Sequence, residues 1–292
     1  MASTRHIHRR IKSVKNTAQI TKAMQMVASS KMRKAQQGAL AGRPYARAMN
    51  RMLAALAGSM LDFSHPLMER REVRKRCVIL VGTDKGLCGA LNSTLFREAA
   101  GFDKDTTVFI TAGRKAAQFV ARGRRQLAAD FTYKDSPQFA EARAISRFAQ
   151  DRFRAGDFDQ VNLLFTNFVS TLTQRPQMLP FLPIAEVRAV SSDHYGEEVE
   201  GQLEKETQEY LFEPGPEQVL GALLPHYLNF RMYQVLLEAK ASEHSARMVA
   251  MKNATDNAME LIKCLTLEYN KLRQANITKE LLEISSAAMA LD

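Results

Sequence analysis

Apolar residues recur with a seven-residue period at both ends of this chain, and strand-length apolar runs lie between them. Stepping alternately by four and three from Ile7 gives Ile11, Val14, Ala18, Thr21, Gln25, Ala28, Met32 and Ala35. The register continues through Ala39, Gly42, Ala46, Met49, Leu53 and Leu56 to Met60, with only Thr21, Gln25 and Gly42 not clearly apolar. A repeat held that long predicts a helix over residues 1–61 that supercoils left-handedly with a partner helix. Pro44 lacks an amide donor and crowds the preceding turn, which places a kink near Arg43.

At the other end, residues 226–292 hold neither glycine nor proline. That stretch reads as one helix on the order of 100 Å long, at about 1.5 Å per residue. Met251, Ala254, Ala258, Leu261, Leu265, Leu272, Ala275, Leu282 and Met289 fall on one register, interrupted by Glu268, Lys279 and Ser286. The helix is expected to start near Glu217, with Gly221 and Pro225 disturbing its first turns. Two paired helices that flank a middle region run antiparallel, one leaving it and one entering it. If both start at that region, the second overshoots the first by roughly a dozen residues, about 20 Å. Ile277, Leu281, Leu282, Ile284, Met289 and Leu291 then form an apolar tip with no partner in the chain.

The middle alternates strand and helix signals. Phe63 to Arg76 is charged and carries a proline, as a linker does. Cys77–Val81 is a strand, followed by GTDKGLCGALN and a helix through Ala100; Thr107–Thr111 is a strand before a helix at Arg114–Arg122. A longer amphipathic helix covers Phe139–Phe153, and Val161–Val169 is a third strand ahead of the proline-rich QRPQMLPFLPI. Such alternation implies a largely parallel sheet covered on both faces. Glu209–Glu213 is a candidate edge strand. The fold class is therefore α/β: a long antiparallel coiled coil of N- and C-terminal helices (1–61 and 217–292) with an inserted open, Rossmann-like α/β domain at 76–192. The competing reading is an all-helical bundle, against which the strand signals argue.

Charge sharpens the picture. The 292 residues carry a formal net charge of +10, and no Asp or Glu precedes Asp62 although twelve Lys and Arg residues do. Acids there would have added helix-stabilising pairs, so their absence points to an anionic partner: nucleic acid, an anionic lipid surface or an acidic protein face. A transit peptide is also basic and acid-poor, but the sustained heptads argue against one. Between Asp193 and Glu217 the balance reverses, with nine acids around the single base Lys205. No run of eighteen uncharged apolar residues is present, and no secretory h-region, so neither a membrane span nor a signal peptide is expected. The three cysteines Cys77, Cys88 and Cys264 form no C-x-x-C pair, which favours a reducing compartment and no structural metal.

Candidate chemistry is sparse. Gly82, Gly86 and Gly89 sit where a strand hands over to a helix, as in phosphate-binding loops. Neither G-x-x-x-x-G-K-[ST] nor G-x-G-x-x-G is met, because Lys85 precedes the second glycine. Cys88 has no histidine near it in sequence and reads as a small packed residue. His6 and His8 point to different helix faces, His194 and His226 lack ligand spacing, and His244 lies in a polar run. Glu280 and Glu283 lie one turn apart with nothing beside them to raise a pKa. No catalytic constellation and no cofactor site is expected.

Four blocks carry a family resemblance that covers essentially the whole chain: RRIKSVKNTAQITKAMQMVASSKMRKAQ, TDKGLCGALN, SARMVAMKNATDNA and LEYNKLRQANITKELLEISSAAMAL. In these the sequence resembles the gamma subunit of F-type ATP synthases, the central rotor stalk. Two departures are visible. Ala287 and Ala288 stand where the family usually has glycine then alanine, and the regulatory cysteine insertion of chloroplast members is missing, so no thiol switch is expected. The resemblance implies a non-catalytic subunit that couples rotation of a proton-driven ring of c subunits to the catalytic beta subunits. It also implies contacts with the alpha, beta and epsilon subunits, and a peripheral position on the cytoplasmic face of a bacterial inner membrane. Contact residues carried over by motif are Lys22 and Met24 in ITKAM, Lys85 in TDKGLCG, and Arg273, Gln274, Thr278, Glu280 and Glu283 near the tip. Two other readings of the residues compete: a basic coiled-coil protein that binds nucleic acid, with steep salt dependence, and a nucleotide-dependent enzyme using the glycine turn.

Overall fold

The computed structural model describes residues 4–42, 44–46, 48–49, 51–52, 65–184, 213 and 215–289. The elements in chain order are α1 (Thr4–Ala41), β1 (Arg76–Val81), α2 (Leu91–Ala100), β2 (Thr107–Ala112), α3 (Arg114–Arg122), β3 (Gln126–Phe131), α4 (Phe139–Arg154), β4 (Gln160–Phe168), β5 (Gln174–Leu182) and α5 (Pro216–Met289). They make two compact units: residues 1–27 with 248–292, and residues 28–247.

The larger unit is built on a five-stranded sheet of order β3-β2-β1-β4-β5. The first four strands in that order are parallel, and β5 runs antiparallel to β4. Alternate side chains of β1 face opposite ways, so each face needs its own cover. Val78 and Leu80 pack with Leu95, Ala99, Ala116 and Val120 of α2 and α3. Cys77, Ile79 and Val81 share a core with Ile145 and Phe153 of α4 and with Leu224, Leu228 and Leu236 of α5. The expected parallel, doubly covered sheet is thus present.

Two strands lie outside the expected pattern. β5 occupies the proline-rich stretch to which the sequence assigns no element. Pro176 and Pro180 fit because β5 is an edge strand, where a missing N–H costs no ladder bond. β3 has mostly exposed side chains and no alternation of apolar and polar residues, so the period-two signal is missing at this opposite edge. The linker holds the fully buried Leu67, whose carbonyl accepts from the Ile184 amide at 2.9 Å. Glu209–Phe212, most of the candidate edge strand, lie outside the described residues, as do Leu53, Leu56, Met60 and Leu291.

Both units contain an antiparallel pairing of α1 with α5. In the larger unit, a Cβ on Gly38 would stand 3.4 Å from Leu237, and one on Gly42 would stand 2.8 Å from Gln234. Tyr45 packs on Phe230, ring centroids 5.0 Å apart. In the smaller unit, Ile7 and Ile11 enclose Leu265 with Ile262, Tyr269 and Leu272 around them, while Thr21 and Thr255 hydroxyls meet at 2.7 Å. Every described register position from Ile7 to Met49, in α1 and just beyond it, is buried or half-buried. In α5 the expected register slips at alternate positions. The seam runs Met251, Thr255, Ala258, Ile262, Leu265, Tyr269 and Leu272, whereas Leu261 is exposed. The three- and four-residue steps come in the other order, which the polar Thr255 and the phenol of Tyr269 conceal from an apolar count. α1 ends at Ala41 with a turn at Gly42, while Arg43, where a kink is expected, lies outside the described residues; α5 continues through Pro225.

The ends of β1 and β2 approach so closely that only glycine fits. Gly113 has φ +101, and a Cβ there would lie 2.4 Å from the Gly82 carbonyl oxygen. Gly113→Ala is therefore expected to lower the unfolding free energy by about 3 kcal/mol or more, from the disfavoured backbone region plus the clash. Chemical denaturation of the full chain checks it, and a loss under about 1 kcal/mol would mean that the two strand ends can part.

Candidate functional site

The turn after β1 is shut from inside. Thr83 donates its hydroxyl to the Lys85 carbonyl at 2.9 Å, and the Asn92 amide reaches Thr83 Oγ1 at 2.8 Å and Cys88 Sγ at 3.4 Å. Leu87 and Gly89 take positive φ to make the bend. Cys88 is buried, and burial pushes its thiol up, the opposite of an activated nucleophile. Lys85 is exposed. The guanidinium of Arg247 lies 3.3 Å from the Gly86 carbonyl and 3.4 Å from that of Lys85. A phosphate loop turns N–H donors toward its ligand. This turn gives carbonyl acceptors to a cation, the opposite polarity.

Arg247 ends a buried row on α5. Lys240, fully buried, donates to Glu243 at 3.0 Å, lies 3.7 Å from Asp135, and sits over the Tyr133 ring at 4.5 Å. Glu243 accepts from Arg247 at 2.7 Å through its other oxygen. Tyr133 donates its hydroxyl to the Gly82 carbonyl at 3.0 Å, and burial raises its pKa well above the ordinary phenol value. Asp135 also takes a hydrogen bond from Lys31 of α1. That bond, helped by the charge of Lys240 against the cost of burial, lowers the carboxyl to about 2. His244 lies 3.2 Å from Arg247 through Nδ1. Arginine only donates, so Nδ1 accepts and the ring proton is on Nε2. Burial, reinforced by Arg247 and Lys240 against Glu243 and Asp135, brings this imidazole down to about 4. One step along the helix, Ser245 donates to the Thr171 carbonyl at 2.8 Å in the β4–β5 hairpin. Residues 245 and 247 thus fasten α5 to two strand-end loops on different sides of the helix.

Of the residues carried over by motif, Lys85 is the one in the larger unit. In the smaller unit Lys22 is exposed and Met24 half-buried on α1, beside exposed Ile20, Met26 and Val27. Arg273, Gln274, Thr278, Glu280 and Glu283 are exposed, as is every residue from 273 to 286. Thr278 donates to the Gln274 carbonyl at 3.0 Å, and Glu283 lies 3.6 Å from Lys279, so two of the five are engaged only along their own helix. The row Lys240, Glu243 and Arg247 was not singled out from sequence. Its signal is the i,i+3 and i,i+4 spacing of opposite charges, which by itself looks like a solvated helix face.

Breaking this row strands a buried charge. Glu243→Gln is expected to cost about 3–5 kcal/mol, and Lys240→Met combined with Glu243→Gln less than the sum of the two single changes, as a double-mutant cycle by denaturation will reveal. The acid limb follows from the lowered groups. His244 stays neutral down to about 4 when folded but takes a proton near 6.5 when unfolded. Its contribution is complete above pH 6.5 and lost as pH falls toward 4, on the order of 3 kcal/mol. Glu238, pushed up to about 7 by burial, has the opposite slope, so the difference between wild type and His244→Gln isolates the histidine. That difference curve should bend between pH 6.5 and 4, and for Asp135→Asn between about pH 4 and 2. Flat curves would mean that neither group is held as described.

A sequence model of the family described as ATP synthase matches residues 3–291. The ATP synthase gamma chain of Opitutus terrae is 50% identical over 292 residues, 99% of each chain. That of Methylacidiphilum infernorum is 44% identical over 296 residues, covering both chains fully. Among solved structures, the rotor of the Euglena gracilis mitochondrial ATP synthase matches 94% of this chain and 98% of its own with TM-score 0.64 and 17% identity. The central stalk and c-ring structure of the Tetrahymena thermophila enzyme matches 80% of this chain and 99% of its own, with TM-score 0.60 and 23% identity. At those identities the structural likeness speaks for the fold, and the sequence relatives speak for the family. The chain belongs to the ATP synthase gamma chain family.

Proposed function

We propose that this chain is the central rotor stalk subunit of a proton-driven ATP synthase, joining a membrane ring of c subunits to a head of alpha and beta subunits, with epsilon alongside. It does no bond chemistry itself and works by presenting different faces to each catalytic subunit in turn. A protein surface shifts another protein's equilibrium only through contacts that differ between its states. The observation that carries this reading is the exposed stretch 273–286 of α5, where Ile277, Leu281, Leu282 and Ile284 are each about half to two-thirds exposed. A soluble protein rarely leaves such residues exposed together on one helix, so the stretch is fitted to an apolar sleeve supplied by other subunits. Lys22, Met24, Lys85, Arg273, Gln274, Thr278, Glu280 and Glu283 are the proposed contacts. No helix among the described residues is long and apolar enough to cross a membrane, in keeping with a peripheral subunit at the cytoplasmic face of a bacterial inner membrane. The nucleotide-enzyme reading is disfavoured by the carbonyls turned toward Arg247. Nucleic-acid binding is disfavoured by Lys31, whose charge on the basic helix is matched by Asp135 within the chain.

Affinity purification from membranes through this chain is expected to yield an ATPase complex containing one copy of it, while the isolated chain turns over no ATP. Turnover by the pure chain that Lys85→Ala abolishes would sink the reading. Deleting everything after Gln274 should leave the melting temperature of the isolated chain within about 4 °C of wild type and weaken its hold on the alpha–beta head. Loss of folding on truncation would show instead that the tip packs on its own chain.

A further inference from the structure

A cleft of about 440 Å³ lies in the larger unit between α1, the turn leading from β3 into α4, and α5. Its size is in the range of small-molecule sites, roughly 300–1,000 Å³, and like them it joins an apolar floor to a few polar groups. Tyr233 and Leu237 of α5 and Ala35 and Gly38 of α1 make the floor, and Lys31 and Lys34 stand one helical turn apart on the rim. The two lysines are not equivalent. Lys31 is held by Asp135, whose carboxylate is also within 3.7 Å of Lys240. Lys34 is exposed and has no acidic partner among the described residues. The one acid in the lining is thus already shared by two cations, and a third cation faces the cleft uncompensated.

From this juxtaposition of an apolar floor with the unpaired Lys34 ammonium, we infer that the cleft is a binding site for a small amphipathic carboxylate, an acid with a medium-length aliphatic or aryl body. The body lies on Tyr233 and Leu237, and the carboxylate accepts from Lys34. Gly38 keeps the floor open: a Cβ there would already touch Leu237 at 3.4 Å. A cationic head in place of the carboxylate meets Lys34 and is rejected. The site does not depend on the rotor assignment, since every group in it belongs to this chain.

The test is calorimetric titration of the purified full chain with octanoate, and with octylammonium as the control of equal body and opposite charge. Octanoate is expected to bind saturably at one site per chain and octylammonium at least about tenfold more weakly. Lys34→Gln should weaken octanoate about tenfold and leave octylammonium unchanged. Gly38→Leu should abolish octanoate binding by filling the cleft beside Leu237. Lys34 is exposed and its replacement leaves the fold intact, so that variant decides the matter even if Gly38→Leu fails to fold. Absence of saturable binding up to about 10 mM, equal binding of octylammonium, or octanoate binding indifferent to Lys34→Gln would each overturn the proposal.

Discussion

The larger unit depends on a row of charges with almost no access to water. Lys240, Glu243 and Arg247 lie along one helix, and each would be costly to bury alone. Together with Asp135, the Tyr133 ring and the carbonyls of Lys85 and Gly86 they satisfy one another. An apolar replacement of similar volume could pack as well or better, so the row is weak evidence for stability as such. Its effect lies in geometry. Turning α5 by one residue would take about 100° off every donor and acceptor and push an ammonium into the apolar core beside Leu236 and Ala239. Apolar side chains tolerate such slippage much better. A helix that must hold one angle against a sheet is served by directional bonds more than by extra methylenes.

The pairing of the two long helices obeys the same logic with smaller means. Ala18, Ala28, Ala35, Ala39 and Ala258 fill much of the buried seam, and small side chains bring helix axes close while burying little apolar area each. Such a seam specifies register poorly by itself. The hydroxyls of Thr21 and Thr255 supply what is missing: they meet at 2.7 Å in a buried site, and each also reaches a backbone carbonyl of its own helix. Sliding either helix by one turn would separate the two hydroxyls and set each against apolar side chains with only its own helix's carbonyl left to bond, which is how one polar seam position fixes alignment.

This also explains what the sequence discloses. The α1 seam is legible because its apolar residues repeat over many heptads while most other positions are polar or charged, Ile20, Met26 and Val27 being exceptions. The α5 seam is legible in period but not in phase, since Thr255 and Tyr269 carry polar atoms and Leu261 advertises the wrong face. β1, β2 and β4 stand out as buried apolar runs. β3 and β5 do not, because edge strands with exposed or proline-bearing positions lack the alternation that marks a strand. The contact residues carried over by motif are visible in one dimension because they lie in recognisable blocks. The charge row is not, although Arg247 falls in one of those blocks: Lys240, Glu243 and Arg247 are ordinary surface residues on paper, and only knowing which face of α5 meets the sheet turns them into core.

Magnitudes limit how a rotor of this kind could act. Swinging a two-state partner from 1:99 to 99:1 requires about 5.5 kcal/mol of differential contact. An exposed ion pair is worth about 0–1 kcal/mol and is screened by salt, so the free cations of α1 would need many simultaneous pairs to do it alone. Apolar contact is larger per residue, about 1.5–3 kcal/mol for a fully covered Leu, Ile or Met. The exposed apolar residues Ile20, Met26 and Val27 lie on the same basic helix as Lys22. These three are little more than half exposed, so a partner covering all of them in one orientation and none in another gains about 2.5–5 kcal/mol, most of the required amount, with the lysine steering the approach. On the proposed reading the cations of α1 select and orient the partner, and the apolar residues beside them do most of the work of shifting it.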